Sequence, residues 1–428
     1  MATARAFAST TFRSLRTRNY KLFFFGQGAS LIGTWAQTIA LGWLVLQLSD
    51  DSGVAEGLAI SLQFLPTLLL SAYGGVIADR FDKRKILIIT QSMQAMIAAT
   101  LGLVVIAGVA NLWIVYTMIL LFGFAQSIDN PTRLAFVGEM VGPDDLSNAV
   151  ALNSSLFQVA RIIGPVIAGV LIVLIGTGPC FIVNAVSYVG VILALMAMDG
   201  AALHRGKPVQ KEKGQIRAGF RYVWRTPELR LLLLLTAIVG TLAMNYPVVM
   251  PLIAKITFQG GPGVYSVMTI AMGVPALIGG LLIAHRADAG ESVLFKSGLC
   301  FGAAIVIASL APTLGLFLLF IMAVGASQIV FMSTCNTMAQ LRSDPLMRGR
   351  VMSVYVIAVL GSTPIGGPLV GWISQEWGPR YGFAIGGVAA FFGTLVLGTM
   401  MLRARKATDD AERAVKSELA SASITPLR

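Results

Sequence analysis

Charged residues are scarce in this sequence. Lysine, arginine, aspartate and glutamate make up 12% of its 428 residues, whereas about 25% is usual for a soluble globular domain. Hydrophobic residues make up 56%, and the mean hydropathy is +0.78. Apolar runs of about bilayer length dominate the chain. This composition predicts an all-α membrane protein with many spanning helices, and it argues against a soluble enzyme.

Cysteine is also scarce. Cys180, Cys300 and Cys335 lie far apart within apolar runs, so the sequence predicts no disulfide framework. No stretch has the spacing of a metal site, a nucleotide-binding loop or a nucleophile with its base. We therefore expect no enzyme activity, no metal and no cofactor. The net charge of +12 would suit a nucleic-acid partner, but the basic residues fall in alternate loops, so none is expected.

The apolar runs predict twelve spanning helices. The first run is long and lacks a convincing small-residue cleavage site, so it is expected to remain as a spanning helix rather than a signal peptide. The predicted spans cover approximately residues 20–48, 54–78, 86–109, 112–135, 149–175, 180–198, 229–256, 264–285, 292–310, 313–340, 351–375 and 380–402.

The distribution of basic residues predicts the orientation. Of the 32 lysines and arginines, Lys255 and Arg380 fall in loops on one side and Arg161 falls inside the fifth span. The others fall in the two termini and in the loops on the opposite side. By the positive-inside rule, both termini are cytoplasmic. We expect a multi-pass protein of the cell inner (plasma) membrane.

The same loops divide the chain into five parts. Residues 1–19 form a basic N-terminal arm and residues 20–198 a six-helix bundle. Residues 199–228 form a linker with an amphipathic helix suited to the membrane surface. Residues 229–402 form a second six-helix bundle, and the polar tail 403–428 is predicted to be disordered.

The two bundles carry related sequences. The segment GGVIADRFD at 74–82 returns as GGLLIAHRAD at 279–288, and Gly164–Pro165 of the fifth span matches Gly367–Pro368 of the eleventh. Both matches lie at nearly the same offset along the chain. Two pseudo-repeated six-helix halves are the architecture of secondary transporters, in which the substrate site lies near the midplane between the repeats.

The loop between spans 2 and 3 resembles a known signature. Gly75, Asp79, Arg80 and the basic run Lys83–Lys85 resemble the loop 2–3 motif of the major facilitator superfamily, with Asp82 in place of its second glycine. With the 6+6 layout, the resemblance covers nearly the whole chain, and the opening residues resemble the enterobactin-exporter or transmembrane secretion effector subgroup. It implies the major facilitator fold and a transporter that works by switching between two states.

Residues of this loop are expected to form the conformational switch. By the resemblance, Asp79 meets the N-terminus of span 11 near Arg350. Asp129 is expected either to pair with Lys83 or Arg84 or to carry a proton. The predicted switch residues are Gly75, Asp79, Arg80, Lys83, Arg84 and Asp129.

The fifth span carries a second motif, GPVIAG. It resembles the Gly-Pro signature of facilitator antiporters and implies export, although the arginine of the antiporters' fourth span is replaced by Ile119. The motif residues are Arg161, Gly164, Pro165 and Gly169. An arginine deep in a span is a candidate functional residue. Arg161 is expected either to bind an anionic group or to be held structurally by neutral partners such as Gln37 or Asn153.

By the resemblance, spans 1, 4, 7 and 10 line the substrate cavity. Soft and apolar walls there suit bulky amphipathic compounds. The predicted lining residues are Gln37, Tyr116, Met118, Met244, Asn245, Tyr246, Met322 and Gln328. Glu56, near the outer end of span 2, is expected to be solvated. It is nevertheless a candidate proton site with Asp129, because acids are so few.

These features favour a secondary-active exporter of amphipathic small molecules, such as drugs, secondary metabolites or a siderophore, coupled to protons. A lipid or lysolipid flippase of the same fold is an alternative, and a non-transporting membrane sensor or scaffold is another. The expected partners are a small-molecule substrate, membrane lipid and protons, and the chain is expected to act as a monomer.

Overall fold

The computed structural model describes residues 11–204, 215–284, 290–361 and 363–403. Within these ranges, twelve helices are long and apolar enough to cross a membrane, which confirms the predicted number. They are α1 (Arg18–Leu48), α2 (Gly53–Arg80), α3 (Lys83–Ile106), α4 (Leu112–Val141), α5 (Leu146–Ile175), α6 (Thr177–Met196), α7 (Pro227–Thr257), α8 (Pro262–Ala284), α9 (Glu291–Leu310), α10 (Leu314–Leu341), α11 (Arg348–Trp377) and α12 (Pro379–Arg403).

A shorter linker helix, Gln215–Arg225, precedes α7. We call the end of the bundle that holds this helix and the α2–α3 loop the linker side, and the other end the far side. On the linker helix Val223 is buried, whereas Phe220 and Trp224 are exposed. Gly219 packs against the backbone of Arg350 at the start of α11. The linker helix therefore rests on the C-terminal half and leaves an aromatic face uncovered.

Polar residues at the loops set where the spans begin. The side chains of Ser52 and Asn111 accept hydrogen bonds from backbone N–H groups in the first turns of α2 and α4, which would otherwise be unsatisfied. Asp82 does the same for α3, because its carboxylate accepts from the N–H of Lys85. The aspartate that replaces the motif glycine thus serves as the N-cap of α3.

Glycines let helices within each half approach closely. Gly102 of α3 faces Gly178 of α6, and Gly302 of α9 faces Gly387 of α12. These are equivalent helix pairs of the two halves, so the packing repeats as the sequence does. A side chain at either site would separate the backbones, which explains the small residues there.

Within the ranges that the structure describes, the spanning helices α7 and α11 are each assigned as two segments. The helix of α7 breaks between Leu242 and Tyr246, and α11 consists of the segments Arg348–Leu360 and Thr363–Trp377. At the first break, the side-chain amide of Asn245 donates to the carbonyl of Thr241 and partly replaces the lost backbone bonds. Interrupted helices are typical of transporters, where they border binding sites.

The two halves meet on the far side through α2 and α11. Gly53 and Gly57 pack against Gly371 and Gly367 with backbone nearly touching backbone. We call these four residues the glycine seam. One turn further into the membrane, the hydroxyl of Ser61 donates to the carbonyl of Pro364 at 2.7 Å. The seam closes the far side between these helices.

Polar contacts at the surface reinforce the closed far side. Asp51, in the α1–α2 loop, forms an ion pair with Lys255 at the end of α7. The hydroxyl of Ser52 donates to the side-chain oxygen of Gln375 at 2.7 Å. On the opposite flank, Gly169 of α5 packs against Ser266 of α8. The α2–α11 and α5–α8 contacts are equivalent by the pseudo-repeat, so the halves close symmetrically.

Candidate substrate cavity

A cavity of about 280 Å³ lies within the N-terminal half and is bounded by Pro247 of α7. Its walls come from α1 to α6. The aromatic part of the wall contains Trp35, Phe64, Phe157 and Tyr188. The polar residues of the wall are more numerous, and they are Gln27, Ser30, Thr34, Thr38, Gln63, Gln91, Gln94, Gln126, Asp129, Asn130 and Arg133. The wall surface is mostly apolar, as the sequence suggested, but among the described residues it carries eleven polar side chains and no methionine.

Three of the glutamines are deeply buried. Gln27, Gln91 and Gln94 are each 2% exposed. The Nε2 of Gln91 donates to Asp129 at 2.9 Å, but its Oε1 has no hydrogen-bond partner among the described residues. The same holds for Oε1 of Gln27 and Nε2 of Gln94. Because burying an amide without a partner is unfavourable, these atoms mark the part of the wall that an occupant would contact.

Asp129 is the buried carboxylate of this wall. Its Oδ1 accepts from the hydroxyl of Thr90 at 2.7 Å and from Gln91. Its Oδ2 lies 4.0 Å from Nε of Arg133, one turn along α4. The carboxylate is thus surrounded by donors, and its charge is compensated within the cavity wall.

The predicted pairing of Asp129 with the basic loop is wrong in this structure. Lys83 forms an ion pair with Glu139 at 2.6 Å. Arg84 donates to the carbonyls of Leu195 and Met196 at the end of α6. Asp129 lies about three helical turns before Glu139 on α4, and it is Glu139, at the end of that helix, that lies beside the loop. Sequence spacing alone did not distinguish the two acids.

The other predicted switch residues, Gly75, Asp79 and Arg80, lie in the last turns of α2. Arg80 is exposed at the end of α2. The helical backbone of α2 includes Gly75 and Asp79, but the surroundings of these two residues lie outside what the structure describes. The proposed contact of Asp79 with the start of α11 therefore stays a prediction.

None of the eight predicted cavity residues lines this cavity, so their place in the substrate pathway stays a prediction. Gln37 and Met118 line a smaller adjoining one of about 20 Å³, and Gln37 accepts from Asn184 at 2.7 Å. Tyr116 donates to the carbonyl of Ala55 at 3.1 Å. Asn245 caps the break in α7. Gln37 and Tyr116 thus bond neighbouring helices, whereas Asn245 bonds its own helix.

The four other predicted lining residues lie in the C-terminal half. Met244 packs against the apolar core, and Tyr246 is buried beside the ring of Phe383. Met322 is 43% exposed on the bundle surface, and Gln328 is half-buried on α10. The resemblance placed two of the eight residues, Met322 and Gln328, on α10, a helix that contributes nothing to this cavity.

The motif of α5 holds that helix against α1 and α8. Gly164 packs against Trp35 and the backbone of Ile32, and Pro165 is buried within the helix. The half-buried guanidinium of Arg161 lies 5.8 Å from the centre of the Trp35 ring, a cation–π contact. The cavity lining includes Trp35 but not Arg161. The arginine thus contacts an aromatic residue of the wall without lining the cavity itself, and among the described residues it forms no hydrogen bond with Gln37 or Asn153.

Glu56 is buried, so the expectation that it is solvated is wrong. Its side chain is 1% exposed, and Oε2 has no hydrogen-bond partner among the described residues. It lies on the turn of α2 between the seam glycines and packs against Gly42 of α1. A narrow pocket beside it shares Thr38 and Gln63 with the main cavity. Glu56 therefore lies at the blind far-side end of the cavity system.

The glutamines are the functional candidates that the sequence analysis missed. Gln27, Gln63, Gln91, Gln94 and Gln126 all fall inside predicted spans, where polar side chains are uncommon and usually face the bundle interior. That signal was available in the sequence. The sequence does not show, however, that five glutamines from four helices converge on one cavity.

Comparison with known proteins gives the family. The family model described as "Transmembrane secretion effector" matches residues 9–426. The chain is 22% identical to the staphyloferrin A transporter of Staphylococcus aureus over 381 residues, covering 88% of this chain and 94% of that protein. It is 25% identical to macrolide efflux protein A of Streptococcus pyogenes, covering 86% and 93%. It is 24% identical to the enterobactin exporter of Escherichia coli O81, covering 83% and 85%.

Solved structures show the same fold at lower identity. A POT family transporter in complex with 5-aminolevulinic acid has a TM-score of 0.75 and 12% identity, covering 90% of this chain and 96% of that one. An inward-facing bacterial homologue of the iron transporter ferroportin has a TM-score of 0.69 and 14% identity, covering 90% and 98%. With the family model matching almost the whole chain, this protein belongs to the transmembrane secretion effector family of the major facilitator superfamily.

Proposed function

We propose that this protein is a secondary-active exporter of amphipathic small molecules that works by alternating access and exchanges its substrate for protons. The observation that carries the proposal is a cavity of about 280 Å³ whose far-side end is closed by the glycine seam. The basic linker side faces the cytoplasm, in accordance with the positive-inside rule. The relatives described as a staphyloferrin A transporter, a macrolide efflux protein and an enterobactin exporter support export.

Alternating access follows from how the far side is closed. Glycine against glycine provides close contact but no interlocking side chains, so α2 and α11 can separate without repacking a core. The ion pair Asp51–Lys255 and the Ser52–Gln375 bond are exposed enough for water to replace them. In the opposite state these contacts break and the cavity opens to the far side, where the substrate leaves.

Glu56 is the residue we assign to proton binding. It is buried without a hydrogen-bond donor on Oε2, and charging a carboxyl there without a partner is costly. Tyr265 of α8 approaches the same residue, Gly42, as Glu56 does. Tyr116 of α4 donates to the carbonyl of Ala55, the residue before Glu56. On α7, Lys255 is already engaged by Asp51. The carboxyl is thus neutral while the seam is closed, and it can lose its proton when the seam opens to water.

Asp129, the other candidate, is less suited to this role. It already accepts two hydrogen bonds and faces Arg133. All of these partners lie in the N-terminal half, and none of them belongs to the glycine seam. We therefore assign Asp129 to the cavity wall and Glu56 to coupling.

Inside-out membrane vesicles test the exporter proposal. A panel of fluorescent amphipathic compounds should accumulate in vesicles that contain the protein when the lumen is acidified. Collapsing the proton gradient with nigericin should prevent accumulation, as should omitting the protein. Uptake that persists without any ion gradient, or no uptake of any compound, would contradict the proposal.

The assignment of Glu56 has its own test. Glu56→Gln should abolish accumulation driven by the proton gradient, because the amide cannot release a proton. Exchange of labelled for unlabelled substrate should continue, because it needs no proton. Glu376→Gln is the matched control, since Glu376 lies exposed on the same side of the membrane on α11. Gradient-driven uptake by Glu56→Gln at the parental rate would exclude Glu56.

A further inference from the structure

The buried amides of the cavity wall indicate the chemistry of its occupant. Gln27, Gln91 and Gln94 each present an unpartnered polar atom within the part of the chain that the structure describes. A terminal amide can turn over and exchange its oxygen and nitrogen, so each position can offer a donor or an acceptor. Three such groups around one cavity suit an occupant that both donates and accepts hydrogen bonds at several points.

The charges of the cavity indicate that this occupant is neutral. Asp129 and Arg133 are the charged residues of the lining, and they face each other at 4.0 Å. The carboxylate also accepts from Thr90 and Gln91. A cation or an anion entering the cavity would have to break this arrangement, whereas a neutral polar group would leave it intact.

An aromatic corner adjoins the amides. The rings of Trp35 and Phe157 lie edge to face, with centroids 5.6 Å apart and planes at 72°, and both line the cavity. Such a corner contacts the apolar face of a ring, while the amides contact substituents at its edge. Tyr188 also lines the cavity, and its hydroxyl shares a hydrogen bond with that of Thr34 at 3.1 Å.

We propose that this cavity binds a neutral ring carrying several hydroxyls, such as a sugar or a cyclic polyol, on an amphipathic substrate. The volume of about 280 Å³ is at the small end of the range for ligand sites, about 300–1,000 Å³, which suits one ring rather than a whole drug-sized molecule. The proposal rests on the exporter function proposed above and names the part of the substrate that is recognised.

Binding to the unaltered protein in lipid nanodiscs tests this, since nanodiscs avoid sugar-headed detergents. Isothermal titration calorimetry would compare three probes that share one aromatic group: 4-nitrophenyl β-D-glucopyranoside, 4-nitroanisole and 4-nitrophenyl β-D-glucuronide. The glucoside should bind at least about tenfold more tightly than 4-nitroanisole, which lacks the hydroxyls. It should also bind at least about tenfold more tightly than the glucuronide, which carries a negative charge.

Variants then locate the site. Gln27→Leu and Gln94→Leu should each weaken glucoside binding at least about fivefold and leave 4-nitroanisole binding unchanged. Gln328→Leu is the matched control, because Gln328 lies on α10 outside the cavity. If both cavity variants bind the glucoside like the parent, the site is elsewhere and the proposal is wrong.

The probe comparison needs no variant, so it decides the question even if the leucine substitutions impair folding. Equal binding of the glucoside and 4-nitroanisole would overturn the proposal, because the amides would then form hydrogen bonds with water and not with the sugar hydroxyls. Absence of glucoside binding would equally overturn the proposal. Neither result bears on export, because binding is measured without a proton gradient. Loss of gradient-driven uptake in vesicles, by contrast, would overturn the exporter function.

Discussion

Adding a single methyl group to the glycine seam should shift the protein away from the closed far side. In Gly57→Ala, the new Cβ would lie 2.7 Å from the carbonyl carbon of Gly367 and 2.8 Å from Cα of Pro368. Both are backbone atoms, so no side chain can rotate away. The helices α2 and α11 must move apart for the closed state to form.

The size of the effect follows from this contact. Inserting a methyl group into closely packed structure costs about 1–3 kcal/mol. The cost applies only to the state in which the seam is closed, because the helices are separated in the other state. The equilibrium should therefore shift about 5- to 150-fold toward the state that is open on the far side.

Distances between spin labels measure this shift. Labels at Val109→Cys and Gly315→Cys, in a chain with Cys300→Ser, report the separation of the two halves on the far side, where both positions are exposed. Gly57→Ala should increase the population at long distance and slow transport. Gly190→Ala is the control, because a Cβ at Gly190 meets no atom within 4 Å.

An unchanged distance distribution in a folded Gly57→Ala protein would refute the reasoning. It would mean that the seam does not control access on the far side. A similar shift in Gly190→Ala would also refute it, because the effect would then reflect any added methyl group rather than the contact between α2 and α11.

Three further predictions concern polar contacts. Breaking the exposed Asp51–Lys255 pair with Lys255→Gln should open the far side by less than about fivefold, and exchanging the two residues should restore the parental distances. Asp129→Asn should impair transport, because it leaves Arg133 without its compensating charge, and adding Arg133→Gln should recover part of the activity; no recovery would place Asp129 in another role. Arg161→Lys should lower stability by about 0.5–2 kcal/mol through loss of the stacked guanidinium, measured by thermal unfolding, with the substrate range unchanged.

Several features of this protein could be predicted from the sequence because they depend on local properties. The apolar runs predicted twelve spans, and the described part of the chain contains twelve. The resemblance of the α2–α3 loop predicted the superfamily, which the family model confirms. Hydropathy and the order of residues in a motif are properties of the sequence, and they do not depend on how the helices pack.

The candidate site depends on helix rotation and on contacts between helices, which cannot be read from the sequence. Whether Gln94 or Gln328 faces a cavity is decided by the rotation of its helix, since both are glutamines within apolar spans. Lys83 pairs with Glu139 rather than Asp129 because α4 ends beside the loop. Glu56 is buried because α1 and α11 cover the turn of α2 that carries it. In a bilayer every span is apolar on its lipid face, so hydropathy fixes that a helix crosses the membrane. Only contact with the other helices decides which of its few polar groups meet.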